Sequence, residues 1–312
     1  ASCPAVHPRL AGLGRGRTGF SGASRAWQTF PEVGMSRVVR LIRRVTFSSG
    51  HRYWLPDLDA EQNRALFGRW ASPYNHGHNY VLEVETTGPL DESTGMVVNI
   101  KDIDAVLQER IVAEFDQRSL NDEVPDFRDR SPSLENLLLV IRDRLVNLPG
   151  GLTLSHLTLR ETETLYAEWT PDAMTLTRTY EFAAAHRLHI EGAPDSENWA
   201  LFGKCTNPMG HGHNYVLEVS VAGQPDPRTG MMADIGAIDE VVKTEILDRY
   251  DHKNLNCDVP ELVGLNPTSE VVALAIFDRL KETVPAILDR VRLYETARNA
   301  FEVRAKNHQS AQ

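Results

Sequence analysis

The apolar and polar positions of this chain change their period in a regular order. Alternate residues from 39 to 47 are mostly apolar, and the same alternation runs through H-N-Y-V-L-E-V-E-T, which begins at His78. A period of two predicts strands with one buried face. Apolar residues then recur at helical spacing between 102 and 115, so a helix is predicted there.

A second helix and two closing strands complete the pattern. The sequence S-P-S-L-E introduces the helix, because proline beside serine is a helix-start signal. Strands are predicted at 154–160 and 165–169. The order of elements is β-β-α-α-β-β, which is typical of an α+β fold with an antiparallel sheet and helices on one face.

The whole arrangement occurs twice. A first copy runs from about 38 to 169 and a second copy from about 177 to 305. The second copy has a predicted helix at 235–249, a helix start at N-P-T-S-E, and closing strands at 291–296 and 300–304. Repetition of one unit predicts two tandem domains of the same fold.

We place the two domains at 35–170 and 174–306. Residues 1–34 carry four arginines and one glutamate without a hydrophobic period, which predicts a disordered tail or an over-extended start before Met35. Residues 307–312 are predicted to be a short tail.

Composition narrows the class of protein. The 312 residues are 41% hydrophobic and 24% charged, as expected of a globular protein. The net charge of −10 argues against a nucleic-acid partner, and no apolar run predicts a membrane span. Three cysteines make no disulfide framework, so a reducing compartment, the cytoplasm, is expected.

Three histidines in each copy point to a metal. In both copies a His-x-His pair opens the second strand, where alternate side chains share a face. A third histidine lies upstream, and equivalent histidines of the two copies are all 135 positions apart. Three imidazoles with an open fourth position are typical of catalytic zinc sites. The six are His51, His76 and His78, hereafter the first triad, and His186, His211 and His213, hereafter the second triad.

The second copy resembles a known enzyme family. Its motifs F-A-A-A-H-R, L-F-G-K-C-T-N-P-M-G-H-G-H-N-Y, D-P-R-T-G-M-M, Y-D-H-K-N-L-N, N-P-T-S-E and Y-E-T are similar to those of the 6-pyruvoyltetrahydropterin synthases. The resemblance implies the tunnelling fold (T-fold), in which domains close into barrels, and the substrate 7,8-dihydroneopterin triphosphate.

The resemblance also implies a role for each matching residue. Zinc would be held by the second triad, and by the first triad with less support. A thiolate is the reactive form of cysteine and could act as the base. The expected catalytic residues are Cys205, Asp251 and His252, and the expected substrate-binding residues are Glu295, which anchors the pterin, with Thr268, Ser269 and Glu270.

The first copy departs from the family where the chemistry requires specific residues. Trp70 stands at the position of the catalytic cysteine, and Gln117 stands at the position of the catalytic histidine. Asp116 and the pterin-anchoring acid, Glu161, are retained. We expect the first copy to bind zinc, or even a pterin, without running the reaction.

The leading prediction is conversion of dihydroneopterin triphosphate to 6-pyruvoyltetrahydropterin and triphosphate. The nearest alternative is the related 6-carboxytetrahydropterin synthase of queuosine biosynthesis. In that branch the cysteine lies closer to the H-G-H motif, whereas the N-P-T-S-E segment suits both branches. A third hypothesis is a zinc- or pterin-binding protein without catalysis, which the retained Cys205 disfavours.

The resemblance further implies an oligomer. We expect a trimer of tandem chains with its catalytic residues meeting across subunits. If first and second copies alternated around a ring, Cys205 would face Gln117. We therefore expect segregated rings, one of second copies and one of first copies, which also hide the sheet edges.

Overall fold

The computed structural model describes residues 38–305, so the predicted tails at 1–34 and 307–312 lie outside the described residues. All strands described belong to one sheet. The strands are β1 (Val38–His51), β2 (His76–Pro89), β3 (Arg118–Ser119), β4 (Thr153–Thr162), β5 (Leu165–Trp169), β6 (Met174–His186), β7 (His211–Ala222), β8 (Lys253–Asn254), β9 (Ile287–Thr296) and β10 (Asn299–Arg304).

Helices lie between the second and third long strands of each copy and in the loop before the His-x-His pair. They are α1 (Ala60–Phe67), α2 (Ile100–Leu107), α3 (Ala113–Phe115), α4 (Leu120–Glu123), α5 (Leu134–Arg144), α6 (Asp195–Phe202), α7 (Ile235–Val242), α8 (Asp248–Tyr250) and α9 (Ser269–Leu280). Short 3₁₀ turns at Gly68–Trp70 and Gly203–Thr206 follow α1 and α6. Others lie at Pro125–Phe127, Pro149–Gly151 and Pro260–Leu262.

The predicted order of elements is confirmed in both copies. In β2 every second residue, from Tyr80 through Leu82 and Val84 to Thr86, is buried, as the alternation requires. The helix predicted at 102–115 is α2 and α3, joined by a wider π-helical turn at Gln108–Val112. The second copy repeats this turn between α7 and α8.

The sequence analysis did not predict the short elements β3, α4 and β8, nor two helices in the long loops. The segment before each His-x-His pair was predicted to be a loop, but it contains α1 or α6. Both helices are short, and α1 has only Asn63 and Phe67 buried, so a hydrophobic period is hardly visible. An Asp59–Gln62 capping box stabilises the start of α1.

The two copies share one continuous sheet. The strand order is β10-β9-β7-β6-β5-β4-β2-β1-β3, with β8 pairing beside β6. Antiparallel pairing of β5 with β6, from Leu165↔Arg178 to Trp169↔Met174, joins the copies. The expected segregation of first and second copies into separate rings is therefore wrong, because each first copy lies beside a second copy through backbone hydrogen bonds.

The helices and the sheet enclose the apolar core. Fully buried side chains come from both copies, for example Leu82 and Leu137 in the first and Leu217 and Ile276 in the second. This packing fixes the strand ends that carry both triads. Among the described residues, no helix is both long enough and apolar enough to span a membrane.

Candidate metal-centred sites

The second triad lies where β6 ends and β7 begins. The register pairs His186 with His211 directly and places His213 opposite Ala184, so the three rings face one another. Their ring centroids are 4.7 to 5.2 Å apart, and one nitrogen from each ring lies within 4.8 Å of the others. The sheet therefore assembles the three ligands that the sequence predicts.

Hydrogen bonding leaves the inward nitrogens free for a cation. The Nδ1 atom of His186 lies 2.9 Å from the carbonyl oxygen of Pro267, and an N–H there orients the ring with Nε2 inward. The Nε2 atoms of His186 and His213 and the Nδ1 atom of His211 are buried without a hydrogen-bond partner. Buried polar atoms rarely stay unpaired, so these donors fit a bound metal ion.

The histidines are held in the neutral form that binds metals. Burial lowers the pKa of each ring in the second triad. In the first triad, burial and the neighbouring His76 lower the pKa of His51 to about 3 and of His78 to about 4. Both triads therefore offer unprotonated imidazoles at neutral pH, as zinc requires.

Glu295 lies beside the second triad and is fixed by two donors. Its Oε1 atom is 3.7 Å from Nε2 of both His186 and His213. The Ser269 hydroxyl donates to Oε1 at 2.9 Å, and the Asn299 amide donates to Oε2 at 2.8 Å. Burial alone would raise the pKa of Glu295, but these hydrogen bonds bring the pKa below its usual value. Glu295 is thus an oriented carboxylate beside the triad.

The other residues predicted to bind substrate lie at the start of α9. Thr268 caps the helix, with its hydroxyl 3.5 Å from the backbone nitrogen of Val271. Ser269 reaches Glu295 directly, whereas Glu270 is exposed and has no hydrogen-bond or ion-pair partner among the described residues. The structure brings Ser269 to the site and leaves Glu270 outside it. Sequence reasoning missed Asn299.

The proposed catalytic residues lie in two separate places. Cys205 is in the 3₁₀ turn after α6, and its carbonyl oxygen accepts a hydrogen bond from Leu188. Asp251 accepts a hydrogen bond from the backbone of Ala183 and lies 2.9 Å from Nδ1 of His252. Within residues 38–305, no hydrogen bond joins Cys205 to this pair. The structure therefore assembles the Asp-His pair but not the complete triad.

The backbone conformation at His252 is the same as that at its counterpart in the first copy. His252 has a φ of 58°, in the left-handed region that is costly for residues other than glycine, and its side chain is 82% exposed. Gln117 has the same φ of 58° in the first copy. Asp116 accepts from the backbone of Ser48 as Asp251 does from Ala183. The first copy therefore retains the backbone conformation and the aspartate, and has glutamine in place of the histidine.

The first triad has the same arrangement. His51 ends β1, His76 and His78 begin β2, and one nitrogen from each ring lies within 4.8 Å of the others. The Nδ1 atom of His51 lies 3.0 Å from the carbonyl oxygen of Pro132, while the Nε2 atoms of His51 and His78 are buried and unpaired. These donors also fit a metal ion.

The surroundings of the first triad are different. Leu134 and Leu165 stand at the positions of Ser269 and Asn299, and both leucines are buried. Glu161 therefore lacks both donors, and its Oε2 atom has no hydrogen-bond partner. Burial and the nearby Glu135 raise the pKa of Glu161 to about 7.

A loop of the second copy, residues 226–234, covers the first site; we call it the covering loop. The Ser133 hydroxyl donates to the carbonyl of Gly230 at 2.5 Å, and the backbone N–H of Met232 donates to Glu135 at 2.8 Å. A Cβ at Gly230 would lie 2.2 Å from Asn136, so this approach requires glycine. Aligning the two copies identifies Leu134 and Leu165 as replacements, but it does not predict the contact between the covering loop and the first site.

Trp70 lies on the side of the first site that the covering loop contacts. It packs against a cluster formed by Tyr53, Leu55 and Phe67, and Met231 of the covering loop packs against the same cluster. The position that holds a thiol in the second copy is therefore filled by an aromatic ring in the first.

Comparison with known proteins gives one consistent family. The family described as 6-pyruvoyl tetrahydropterin synthase matches residues 40–172 and 175–306. The chain is 42% identical to the human 6-pyruvoyl tetrahydrobiopterin synthase over 125 residues, which are 40% of this chain and 86% of that protein. It is 44% identical to the Drosophila melanogaster protein of the same name over 131 residues, which are 41% of this chain and 78% of the relative.

More distant and structural relatives extend the comparison. A 6-carboxy-5,6,7,8-tetrahydropterin synthase of Rickettsia bellii is 30% identical over 146 residues, covering 41% of this chain and 97% of that protein. The solved 6-pyruvoyl tetrahydropterin synthase of Caenorhabditis elegans is 40% identical, with 43% of this chain and 96% of that chain covered and a TM-score of 0.41. The two family matches within one chain confirm the tandem duplication.

Proposed function

The chain belongs to the 6-pyruvoyl tetrahydropterin synthase family, and from this membership we propose that its second copy converts 7,8-dihydroneopterin triphosphate to 6-pyruvoyltetrahydropterin and triphosphate. The observation that carries the proposal is the pairing of a free three-histidine cluster with Glu295, which Ser269 and Asn299 hold as an oriented carboxylate. The first copy has the histidines but has lost both donors and the thiol.

Each residue of the second site has a distinct task in this proposal. Glu295 anchors the pterin, because an ionised carboxylate accepts two hydrogen bonds from adjacent ring N–H groups. Cys205 acts as the base that moves protons along the side chain of the substrate. Asp251 holds His252, as a carboxylate orients the imidazole of other triads.

We propose zinc as the ion of both triads. Three neutral imidazoles and unpaired inward nitrogens support this choice. Bound in the second triad, zinc supplies Lewis-acid polarisation of substrate oxygens. In the first copy the ion has no base beside it, because Trp70 replaces the cysteine, so we propose binding without turnover there.

Product analysis tests this proposal. The purified chain, loaded with zinc, is incubated with dihydroneopterin triphosphate and its product is identified by mass spectrometry. We expect 6-pyruvoyltetrahydropterin. A 6-carboxy product would support the alternative, 6-carboxytetrahydropterin synthase activity. The Rickettsia bellii relative has that name. No product from a zinc-loaded chain would support the non-catalytic alternative and contradict the proposal.

We also propose that chains associate through the two sheet edges, β10 and the part of β1 that β3 does not pair. Paired positions of the two copies support this idea. Leu66 lines the cavity beneath the covering loop, whereas its counterpart Leu201 is 60% exposed. Glu135 is buried under the same loop, whereas its counterpart Glu270 is exposed. The second copy thus presents the surface that the covering loop covers in the first.

The occupant we propose is the first copy of another chain. Its residues 91–99 correspond to the covering loop, and they would lie over the second site as the covering loop lies over the first. With β10 paired to β1 of the next chain, Cys205 would face the partner's first copy. A trimer of tandem chains remains our prediction for the closed assembly. Light scattering measures the mass, and a stable, active monomer would contradict this assembly.

Mixing of variants locates the catalytic triad. Chains carrying Cys205→Ala are combined with chains carrying His252→Ala after reversible dissociation. Recovered turnover would show that the two residues meet across chains, and it would contradict an assembly in which Cys205 faces a first copy, which has Gln117 in place of His252. Continued inactivity would place the triad within one copy. We propose the cytoplasm as the location, because Cys205 must stay a free thiol, as it is in the structure.

A further inference from the structure

The carboxylate of Glu161 lies beside the first triad without the hydrogen-bond donors that its counterpart Glu295 has. Oε1 of Glu161 lies 3.6 Å from Nε2 of His78, and Oε2 lies 4.0 Å from Nε2 of His51. Ligand atoms about 2.0–2.1 Å from a tetrahedral zinc are separated by roughly 3.4 Å. Glu161 therefore needs only a small movement to enter the same coordination sphere as the histidines.

The equivalent glutamate of the second copy lies equally close but is held back. Glu295 is 3.7 Å from two histidines, and both of its oxygens already accept hydrogen bonds from Ser269 and Asn299. In the first copy Leu134 and Leu165 occupy those two positions and donate nothing. The donors that reserve Glu295 for a ligand outside the metal sphere are thus absent around Glu161.

Burial of the Glu161 carboxylate with an unpaired oxygen destabilises the folded chain. Its side chain is only 8% exposed, and Oε2 has no hydrogen-bond partner. The Nε2 atoms of His51 and His78 are also buried and unpaired. Buried charges are normally paired or bound to a metal, since isolated ones lose their hydration without compensation. A dication at the centre of these atoms would satisfy all of them together.

Apolar side chains pack on one side of the first triad, while His76 is exposed and a pocket borders His78 on the other side. Trp70, Tyr53 and Met231 form one packed cluster beside the triad, and the covering loop is bonded to Glu135 and Ser133. Four protein ligands are the usual set of structural zinc, whereas a catalytic site keeps one coordination position for water or substrate.

We propose that the first copy holds a structural zinc ion with four protein ligands, His51, His76, His78 and Glu161. The duplicated site has in this view changed from catalysis to stabilisation of the joint between the copies. The inference rests on the proposed binding of zinc by the first triad and adds the identity of the fourth ligand.

The test compares matched glutamine variants in chains that retain one triad each. Glu161→Gln is made together with His211→Ala, which removes the second site, and Glu295→Gln is made together with His76→Ala, which removes the first. Each variant is compared with its own single-triad parent. Zinc content after dialysis, the zinc affinity in competition with a chelator, and the thermal unfolding midpoint are measured with and without zinc.

We expect Glu161→Gln to weaken zinc binding by 10-fold or more, because glutamine keeps the size but loses the anionic ligand. The zinc-free Glu161→Gln chain should be more stable than its parent at pH 8, because an unpaired buried carboxylate is removed. The same replacement at Glu295 should change zinc affinity by less than about threefold. A metal ligand is indicated if Glu161→Gln lowers the thermal midpoint in the presence of zinc and raises it in the absence of zinc. A residue that only packs would change the midpoint in the same direction under both conditions.

Two outcomes overturn parts of this account separately. A single-triad parent that binds no zinc at the first triad would contradict the proposed zinc binding itself. A parent that binds zinc with the same affinity as its Glu161→Gln variant would leave that binding intact and refute the fourth ligand. Turnover by the second copy is independent of both results.

Discussion

The two copies hold their histidines in the same way and differ in what surrounds the neighbouring glutamate. Both rings that end the first strand bond to a proline carbonyl, and both clusters leave unpaired nitrogens inside. Glu295 has two donors and an ordered, ionised carboxylate, whereas Glu161 has buried leucines beside it. A metal triad alone therefore does not define the function of a site; two positions far from it in sequence decide what its carboxylate does.

The two copies also differ in whether a loop of the chain lies over the site. The covering loop of the second copy lies over the first site, and no described residue lies over Glu270, the counterpart of the buried Glu135. The first site is completed within the chain, and the second is left accessible to a partner or a substrate.

The largest expected loss of turnover follows replacement of Cys205, whose counterpart in the first copy is Trp70. Cys205→Ala should reduce turnover about 10²- to 10⁴-fold, the usual contribution of a general base, without loss of zinc. Steady-state kinetics and zinc analysis of the same sample measure both. Cys257→Ala is the matched control, because Cys257 is exposed and unpaired, and it should retain full turnover. Unchanged turnover of Cys205→Ala would remove the thiol from the mechanism.

An intermediate effect is expected when the second site is given the leucine of the first. Ser269→Leu removes one of the two donors to Glu295. Hydrogen bonds to charged groups contribute about 1.5–3 kcal/mol, so kcat/KM should fall roughly 10- to 100-fold, mainly through KM. Leu134→Ser in the first copy is the control and should leave kcat/KM unchanged. A Ser269→Leu value within twofold of the parent would show that the orientation of Glu295 is unimportant.

The smallest effect concerns a pair of equivalent cations in the sheet. His156 lies 3.4 Å from both Glu168 and Glu85, and its counterpart Arg290 lies 3.2 Å from Glu168. Hydrogen bonding to Glu168 raises the pKa of His156 despite its burial. The stabilisation is therefore complete below the unfolded pKa of about 6.5 and is lost as the pH rises through the folded value.

Replacement of each cation by glutamine tests that difference. His156→Gln should lower the free energy of unfolding by about 0.5–1 kcal/mol at pH 5.5 and by less at pH 8.5. Arg290→Gln should destabilise the chain at both pH values, since arginine stays charged. Denaturant titrations at the two pH values measure this, and equal losses for His156→Gln would contradict it.

Much of the fold follows from sequence because its signals are local or repeated. Alternation defines β1 and β2, and the constant spacing of the six histidines predicts both triads. The resemblance supplies Ser269 and Glu295, which the structure brings together at 2.9 Å. These features can be predicted because they depend on residues close together in the chain, or on the constant spacing between equivalent residues of the two copies.

Other features depend on long-range packing and could not be read in this way. Comparison of the copies identifies Leu134 as the counterpart of Ser269, but its position beside Glu161 becomes visible only when α5 packs beside β4. The pairing of β5 with β6 overturned the segregated rings, because nothing in either strand specifies which copy it will meet. The short helices α1 and α6 bury too few apolar residues to show a period.

Parallel analysis of His186→Ala and His51→Ala tests the division of labour between the copies most directly. Turnover of dihydroneopterin triphosphate and the thermal midpoint are measured for both variants under the same zinc conditions. The account predicts that His186→Ala loses turnover with a small change in midpoint, whereas His51→Ala keeps the turnover of its folded fraction and unfolds at a clearly lower temperature. Turnover in His186→Ala, or its loss in a His51→Ala chain of unchanged stability, would contradict the account.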